Sequence, residues 1–362
     1  MKTGIIGFSQ VGKTTLFNIL TNAKVDTKFS GGRAEAHLGI TTVPDVRLDA
    51  LARQYNPKKT IHATVEYVDV AGLVKGEKKD REPSFLGDLR NVEALLHVIR
   101  AFEDPSSPHP EGSINPRRDI ENLELELVLT DLAIVEKRLE RLEKDLKKVK
   151  NPEWERELEL QRLCKTALDN GRPVRSLEFK EEDKKRLRGF MYLSAKPILH
   201  CINLGDTDSH HLEEVGDRFN LAESEAQPHV AITAVCGKIE SELLELPVED
   251  QAAFLADYGL KQSGLERIIR ATYRLLDVIS FFTVGEDECR AWTVPRRATA
   301  WEAAGAIHTD IQKNFIRAEV VSYEDLIACG SLTVARDKGV LRLEGKEHII
   351  NDGDIVHFRH SG

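Results

Sequence analysis

Residues Gly7-Phe8-Ser9-Gln10-Val11-Gly12-Lys13-Thr14 follow the pattern G-x-x-x-x-G-K-[ST], which constrains the possible fold more tightly than any other stretch. Ile5 and Ile6 lead into it as an apolar strand, and Thr15, Leu16, Phe17, Ile19 and Leu20 leave it at helical spacing. A strand, a glycine-rich turn and a helix aim successive backbone N–H groups at one anion, at the positive end of the helix. Gly7 and Gly12 permit the backbone angles such a turn needs. Lys13 is expected to reach the terminal phosphates, for binding and catalysis, and Thr14 to offer its hydroxyl to Mg²⁺. Ser9, Gln10, Val11, Gly12 and Thr15 complete the candidate phosphate cradle.

Further along, Asp69-Val70-Ala71-Gly72 closes an apolar strand over 65–70. In this setting the aspartate orients Mg²⁺ and the N–H of Gly72 meets the γ-phosphate, so Gly72 joins the catalytic candidates. Leu73, next in line, cannot hydrogen-bond an attacking water. Asn203-Leu204-Gly205-Asp206 ends another apolar strand over 198–203 and provides candidate base-reading residues, Asn203, Leu204 and Asp206. A guanine reader usually carries Asn-Lys-x-Asp; the acid is present and the lysine is not. The same letters also make an ordinary turn. Ala234, Val235 and Cys236, after a strand over 230–233, complete the candidate nucleotide pocket.

The pattern along the chain predicts an α/β fold, a P-loop NTPase domain with a mostly parallel sheet over 1–120 and 195–279. Between these pieces, Leu125, Val128, Leu132, Val135, Leu139, Leu142, Leu146 and Val149 alternate three and four apart, an a/d stripe. Asn151-Pro152 breaks it, and a second helix carries Trp154, Leu158, Leu163 and Ala167 up to Asn170-Gly171. The expected product is an inserted antiparallel helical hairpin, a coiled coil, over 121–194. From 280 to 362, short strands alternate with turns and two short helices. The strands are expected at 281–284, 290–294, 318–322, 339–343 and 355–358. This region reads as a separate small α+β domain.

A formal charge of −9 argues against nucleic-acid binding by the whole surface. One local exception is 137–150, where Lys137, Arg138, Arg141, Lys144, Lys147, Lys148 and Lys150 outnumber Glu140, Glu143 and Asp145. Such a basic tip suits phosphate contact; a solvated helix with paired charges, including Glu140–Lys144 and Glu143–Lys147, reads equally well. Residues 280–362 hold ten basic and thirteen acidic residues and so show no comparable footprint. Five scattered cysteines without C-x-x-C suggest neither zinc nor a disulfide framework. Met1-Lys2-Thr3 runs straight into the first strand, and no apolar run approaches membrane-spanning length. The expectation is a cytoplasmic chain without leader or membrane contact.

Together these residues resemble the YchF / Obg-like ATPase family. The resemblance rests on the motifs above and on Val43-Pro44-Asp45-Val46-Arg47-Leu48-Asp49, Asp69 through Gly76, Phe102-Glu103-Asp104 and Arg118-Asp119-Ile120-Glu121. It continues through Val135-Glu136-Lys137-Arg138, Arg290 through Pro295, Gly305 through Asp310, Phe315-Ile316-Arg317-Ala318 and Asn351-Asp352-Gly353-Asp354. It implies a β-grasp TGS domain over 280–362 and hydrolysis of ATP, in preference to GTP, with Mg²⁺. It further implies association with ribosomes and rRNA, effects on translation and stress responses, and no DNA partner. A water-positioning histidine of that family matches His109, which by itself reads as a solvated loop residue.

The chain departs from the family pattern at four places. Gln10 replaces an asparagine that helps hold a monovalent cation. Arg33 stands where a switch threonine is expected. Glu77 through Ser84 form a charged loop where glycines are usual. Asp206 replaces a glutamate. Two functions therefore fit, an NTPase whose cycle gates ribosome binding and a nucleotide-sensing docking module with negligible turnover.

Overall fold

In the computed structural model, which describes residues 1–22, 37–69, 87 and 89–361, the apolar runs around the phosphate loop lie side by side. The strands are β1 (Lys2–Ile6), β2 (His37–Thr42), β4 (Thr64–Asp69), β5 (Ala94–Ala101), β6 (Ile198–Leu204) and β7 (Val230–Val235). Their order is β2-β4-β1-β5-β6-β7, and β4, β1, β5, β6 and β7 run parallel. Every residue of β5 and β6 is buried, as befits central parallel strands covered on both faces. That is why they read as unbroken apolar runs rather than as alternation.

Helix α1 (Lys13–Thr21) follows the loop directly. The first long helix begins earlier than the heptad stripe suggested. Designated α3 (Pro116–Leu146), it starts with Asn115 as cap and Pro116 in its first turn. Its first third packs Leu123 and Leu127 against Ile6, Leu95 and Ile198 of the sheet. Beyond that, Val128, Val135 and Leu139 pack against Leu160, Cys164 and Leu168 of α4 (Pro152–Asp169). A single straight helix thus serves two neighbours with two faces, so Leu125, placed on the stripe, is 50% exposed. Leu163, expected on the apolar side of α4, is 45% exposed, and Leu160 and Cys164 take that face. Helix α4 ends at Asn170-Gly171, with Gly171 at φ +69°.

The chain divides into two compact units. One comprises 1–41 and 66–275; the other comprises 42–65 and 276–362. Residues 42–65, expected in the nucleotide-binding domain, therefore belong with the C-terminal region. They form α2 (Val46–Tyr55) and β3 (Lys59–Ile61). Strand β3, unpredicted, pairs parallel with β9 (Glu288–Pro295). Three residues are too few to carry a strand pattern of their own, and the strand exists because β9 offers a free edge.

The second sheet runs β11-β10-β12-β8-β9-β3. Its remaining strands are β8 (Val278–Thr283), β10 (Phe315–Val321), β11 (Arg342–Glu344) and β12 (Ile355–His360). A strand was expected over 339–343, but only its last two residues pair. Gly339 takes φ +72° after the helix Leu332–Asp337 and delays the strand. The core joins Phe281, Val294, Ala303, Phe315, Val320 and Phe358.

Arg47 anchors α2 in this unit. It donates to both Asp45 oxygens, at 3.0 and 2.8 Å, and to Asp352 at 3.0 Å, with its guanidinium 5.2 Å from the Phe282 ring. Asp45 also caps α2 by accepting from the Arg47 N–H. Arg47→Ala should therefore destabilise the C-terminal unit by about 1–3 kcal/mol, the range for hydrogen bonds to charged groups. Hydrogen exchange should accelerate over α2 and β3 and stay unchanged in β1 and β5.

Candidate functional site

The parallel strands β1, β4, β5 and β6 end side by side, and the sequence-predicted motifs hang from those ends. A carboxyl-end crevice is where open α/β sheets hold ligands. The phosphate loop leaves β1 with Gly7 at φ +150°, Gln10 at φ +62° and Gly12 at φ +97°. A Cβ at Gly7 would lie 2.5 Å from the Val98 carbonyl oxygen, and one at Gly12 would lie 2.5 Å from Asn203 Nδ2. Both glycines are thus required by conformation and by close approach. Val11 is buried, and Ser9, Gly12, Thr14 and Thr15 are half-buried.

Lys13 is buried, and its ammonium donates to the Phe8 carbonyl at 2.6 Å. Burial lowers its pKa to about 8, against the opposing pull of Asp69. Thr14 Oγ1 donates to Asp69 Oδ2 at 3.0 Å. The other oxygen, Asp69 Oδ1, is buried and has no hydrogen-bond partner among the described residues. Burial raises the Asp69 pKa, and Thr14 and Lys13 oppose this. A hydroxyl beside an orphaned carboxylate oxygen fits the hard oxygen set of Mg²⁺, which needs only one or two protein ligands beside water and phosphate. Gly72 and Leu73 lie outside the described residues, as do Arg33 and the charged segment 77–84.

The base-reading candidates are held differently from the sequence expectation. Asn203 spends its amide within the protein: Nδ2 donates to the Val11 carbonyl at 3.1 Å, and Oδ1 accepts from the Gly237 N–H at 3.0 Å. It therefore ties the phosphate loop to the start of α5 (Gly237–Glu245). Leu204 is buried in the core cluster with Ile99, Ile120 and Ile202. Ala234, Val235 and Cys236 are likewise buried, the first two as the end of β7 rather than as loop. Asp206 is half-exposed and ion-paired with Lys238, which holds its carboxyl below the usual range. Lys238 was not singled out from the sequence, since it lies three residues beyond the strand end and its partner is 32 positions earlier.

His109 is held firmly, in contrast to a solvated loop side chain. Its side chain is 4% exposed, with Nε2 3.2 Å from Asp119 Oδ2. Nδ1 accepts from the Glu111 N–H at 3.1 Å, whereas Nε2 and Asp119 Oδ2, though 3.2 Å apart, make no hydrogen bond among the described residues. Asp119 Oδ1 accepts from Arg118, at 3.0 and 2.8 Å. Burial raises the Asp119 pKa, while Arg118 and His109 lower it.

The chain has full-length relatives among known proteins. Residues 2–152 match the family model for 50S ribosome-binding GTPases, and 278–361 match the YchF-GTPase_C model, described as a protein of unknown function (DUF933). The chain is 41% identical to the ribosome-binding ATPase YchF of Bacillus subtilis, over 99% of each protein. It is 39% identical to the protein of that name from Escherichia coli O157:H7, over 99% of this chain and 98% of the relative. The solved structure of the Schizosaccharomyces pombe YchF GTPase superposes with a TM-score of 0.82 at 29% identity, over 99% of this chain and 97% of that one.

The lowered Lys13 pKa predicts a pH dependence. Bound phosphates favour the charged ammonium, so the complex keeps a proton that the free site loses above pH 8. Triphosphate affinity should be level just below pH 8 and fall by up to about tenfold per pH unit above it. Calorimetric titration between pH 7.5 and 9.5, read against this slope, checks it. The sign for folding is opposite. The buried charge costs stability below pH 8, and the cost is relieved as pH rises from about 8 toward the ordinary 10.5.

Proposed function

The chain belongs to the YchF family, and from that premise we propose that it is a cytoplasmic, Mg²⁺-dependent ATPase whose nucleotide state governs ribosome binding. The single observation that carries the nucleotide half is the complete phosphate loop, with buried Lys13 beside the Thr14–Asp69 pair. Thr14 and Asp69 would hold Mg²⁺, which when bound neutralises phosphate charge and orients the terminal phosphoryl group. Lys13 leaves the Phe8 carbonyl to meet the phosphates. Gly7 and Gly12 keep the loop backbone close to them, and Asn203 keeps the loop in register with α5. Gly72 contributes a backbone N–H to the γ-phosphate.

Adenine is favoured over guanine because Leu204 cannot supply the lysine of a guanine reader, and because the Asp206 carboxylate is already met by Lys238. The names of the relatives, ribosome-binding ATPases, support both halves of the reading.

The ribosome half draws on the hairpin tip. Arg138 pairs with Glu157, Arg141 with Asp145, and Glu143 with Arg162 rather than Lys147. Lys144, Lys147, Lys148 and Lys150 are exposed and make no ion pair among the described residues. Free ammonium groups of this kind suit rRNA phosphates. Replacing all four with glutamine should weaken ribosome co-sedimentation and flatten its salt dependence, while leaving ATP affinity unchanged. An unchanged salt slope would assign ribosome contact to another surface.

A second reading, a nucleotide-sensing docking module with negligible turnover, is favoured by one observation. The His109 ring, assigned to water positioning, is buried against Asp119 and tied through Nδ1 to the Glu111 N–H, and must leave that setting to act. Phosphate release from ATP and GTP, with and without ribosomes, separates the two readings. If His109 positions water, His109→Ala should lower turnover by about ten- to a thousandfold with little change in nucleotide affinity. Turnover equal to the wild type would remove His109 from the mechanism.

A further inference from the structure

Arg100, near the end of β5, is among the largest fully buried side chains of the molecule, with 1% of its surface exposed. Its Nε donates to the Phe102 carbonyl at 3.0 Å, and its guanidinium lies 4.7 Å from the Phe102 ring centroid. One terminal nitrogen reaches the Gln10 carbonyl, inside the phosphate loop, at 3.5 Å. No carboxylate lies within 4.0 Å of it among the described residues. Asp104 feels its field but is bonded to Ser106.

A buried cation without a buried anion is costly, and proteins usually supply a partner. Among the described residues the group meets carbonyl oxygens and a ring face, and one of those carbonyls belongs to the loop built to hold an anion. In a trans peptide the C=O and the following N–H point in opposite directions. Holding the Gln10 carbonyl therefore aims the N–H of Val11 away from Arg100. It also supports the φ of +62° at Gln10, uncommon for a residue with a side chain. The same guanidinium adds a fixed positive charge behind the loop, in a region of low dielectric where it is weakly screened.

We propose that Arg100 is a positioning residue for a bound polyphosphate, gripping the phosphate loop through Gln10 and supplying charge that the phosphates neutralise. The inference rests on the nucleotide-binding reading above and deepens it. It makes the contribution of Arg100 grow with phosphate charge, from nucleoside mono- to di- to triphosphate.

The test uses the full chain with Mg²⁺, comparing calorimetric dissociation constants for ATP, ADP and AMP in wild type, Arg100→Met and Arg100→Lys. Arg100→Met should weaken ATP by about ten- to a hundredfold, as expected for losing a charge-assisted interaction, ADP by less and AMP least. Arg100→Lys, which keeps the charge, should preserve the wild-type ratio of ATP to ADP affinity. Equal losses for all three nucleotides, or no loss, would overturn the proposal and leave Arg100 a packing residue. Should Arg100→Met fail to fold, Arg100→Lys decides, since a collapsed ATP-to-ADP ratio there overturns it too. Wild-type protein that binds no ATP would instead defeat the nucleotide-binding reading.

Discussion

One amide organises the nucleotide end of the sheet. Asn203 donates to the Val11 carbonyl and accepts from the Gly237 N–H, so it joins the phosphate loop, the end of β6 and the start of α5. Both of its bonds are buried, where an unmet polar group costs about 1–3 kcal/mol. The close approach this requires explains why Gly12 has no room for a Cβ. In sequence the same asparagine looked like part of a base reader. In the fold it holds the loop, and the exposed polar groups near that strand end are those of Asp206 and Lys238.

Around that clamp, the site accumulates buried polar groups that a stable core would avoid. Lys13 is buried with a depressed pKa, and among the described residues Asp69 keeps one orphaned oxygen and Arg100 has no acidic partner. Deeper in the sheet, His97 and His200 meet through their Nδ1 atoms at 3.0 Å. Burial holds both well below the ordinary imidazole range, so the pair is neutral and shares one hydrogen bond. Glu124 takes the other side of His200 at 3.7 Å and pairs with the fully buried side chain of Arg175.

The C-terminal unit depends on a piece of chain borrowed from the N-terminal third. Residues 42–65 leave the first unit after β2 and return to it at β4, and in between they lend α2 and β3 to the second sheet. Arg47 secures the loan through Asp45, Asp352 and Phe282. The strand ending at Asp69 is thus continuous in sequence with a segment that folds elsewhere.

Local patterns in the chain were enough to determine the phosphate loop, the central strands, the long helices and the break at Asn151-Pro152. Each of these is set by short-range physics: glycine angles, apolar runs and helical period. Lys13 and Thr14 were legible for the same reason, since the motif brings its own backbone, and Asp69 because it closes an apolar strand. Only the tertiary structure decided which face of α3 meets the sheet and which meets α4, because one helix has two neighbours. It alone assigned 42–65 to the second unit, because a three-residue strand is stable only on the edge of β9. It also turned Asn203 into a clamp, buried Leu204, paired Asp206 with Lys238, and set His109 against Asp119. Those pairings join residues 10 to 192 positions apart, and partners so separated are chosen by packing, which no local pattern encodes.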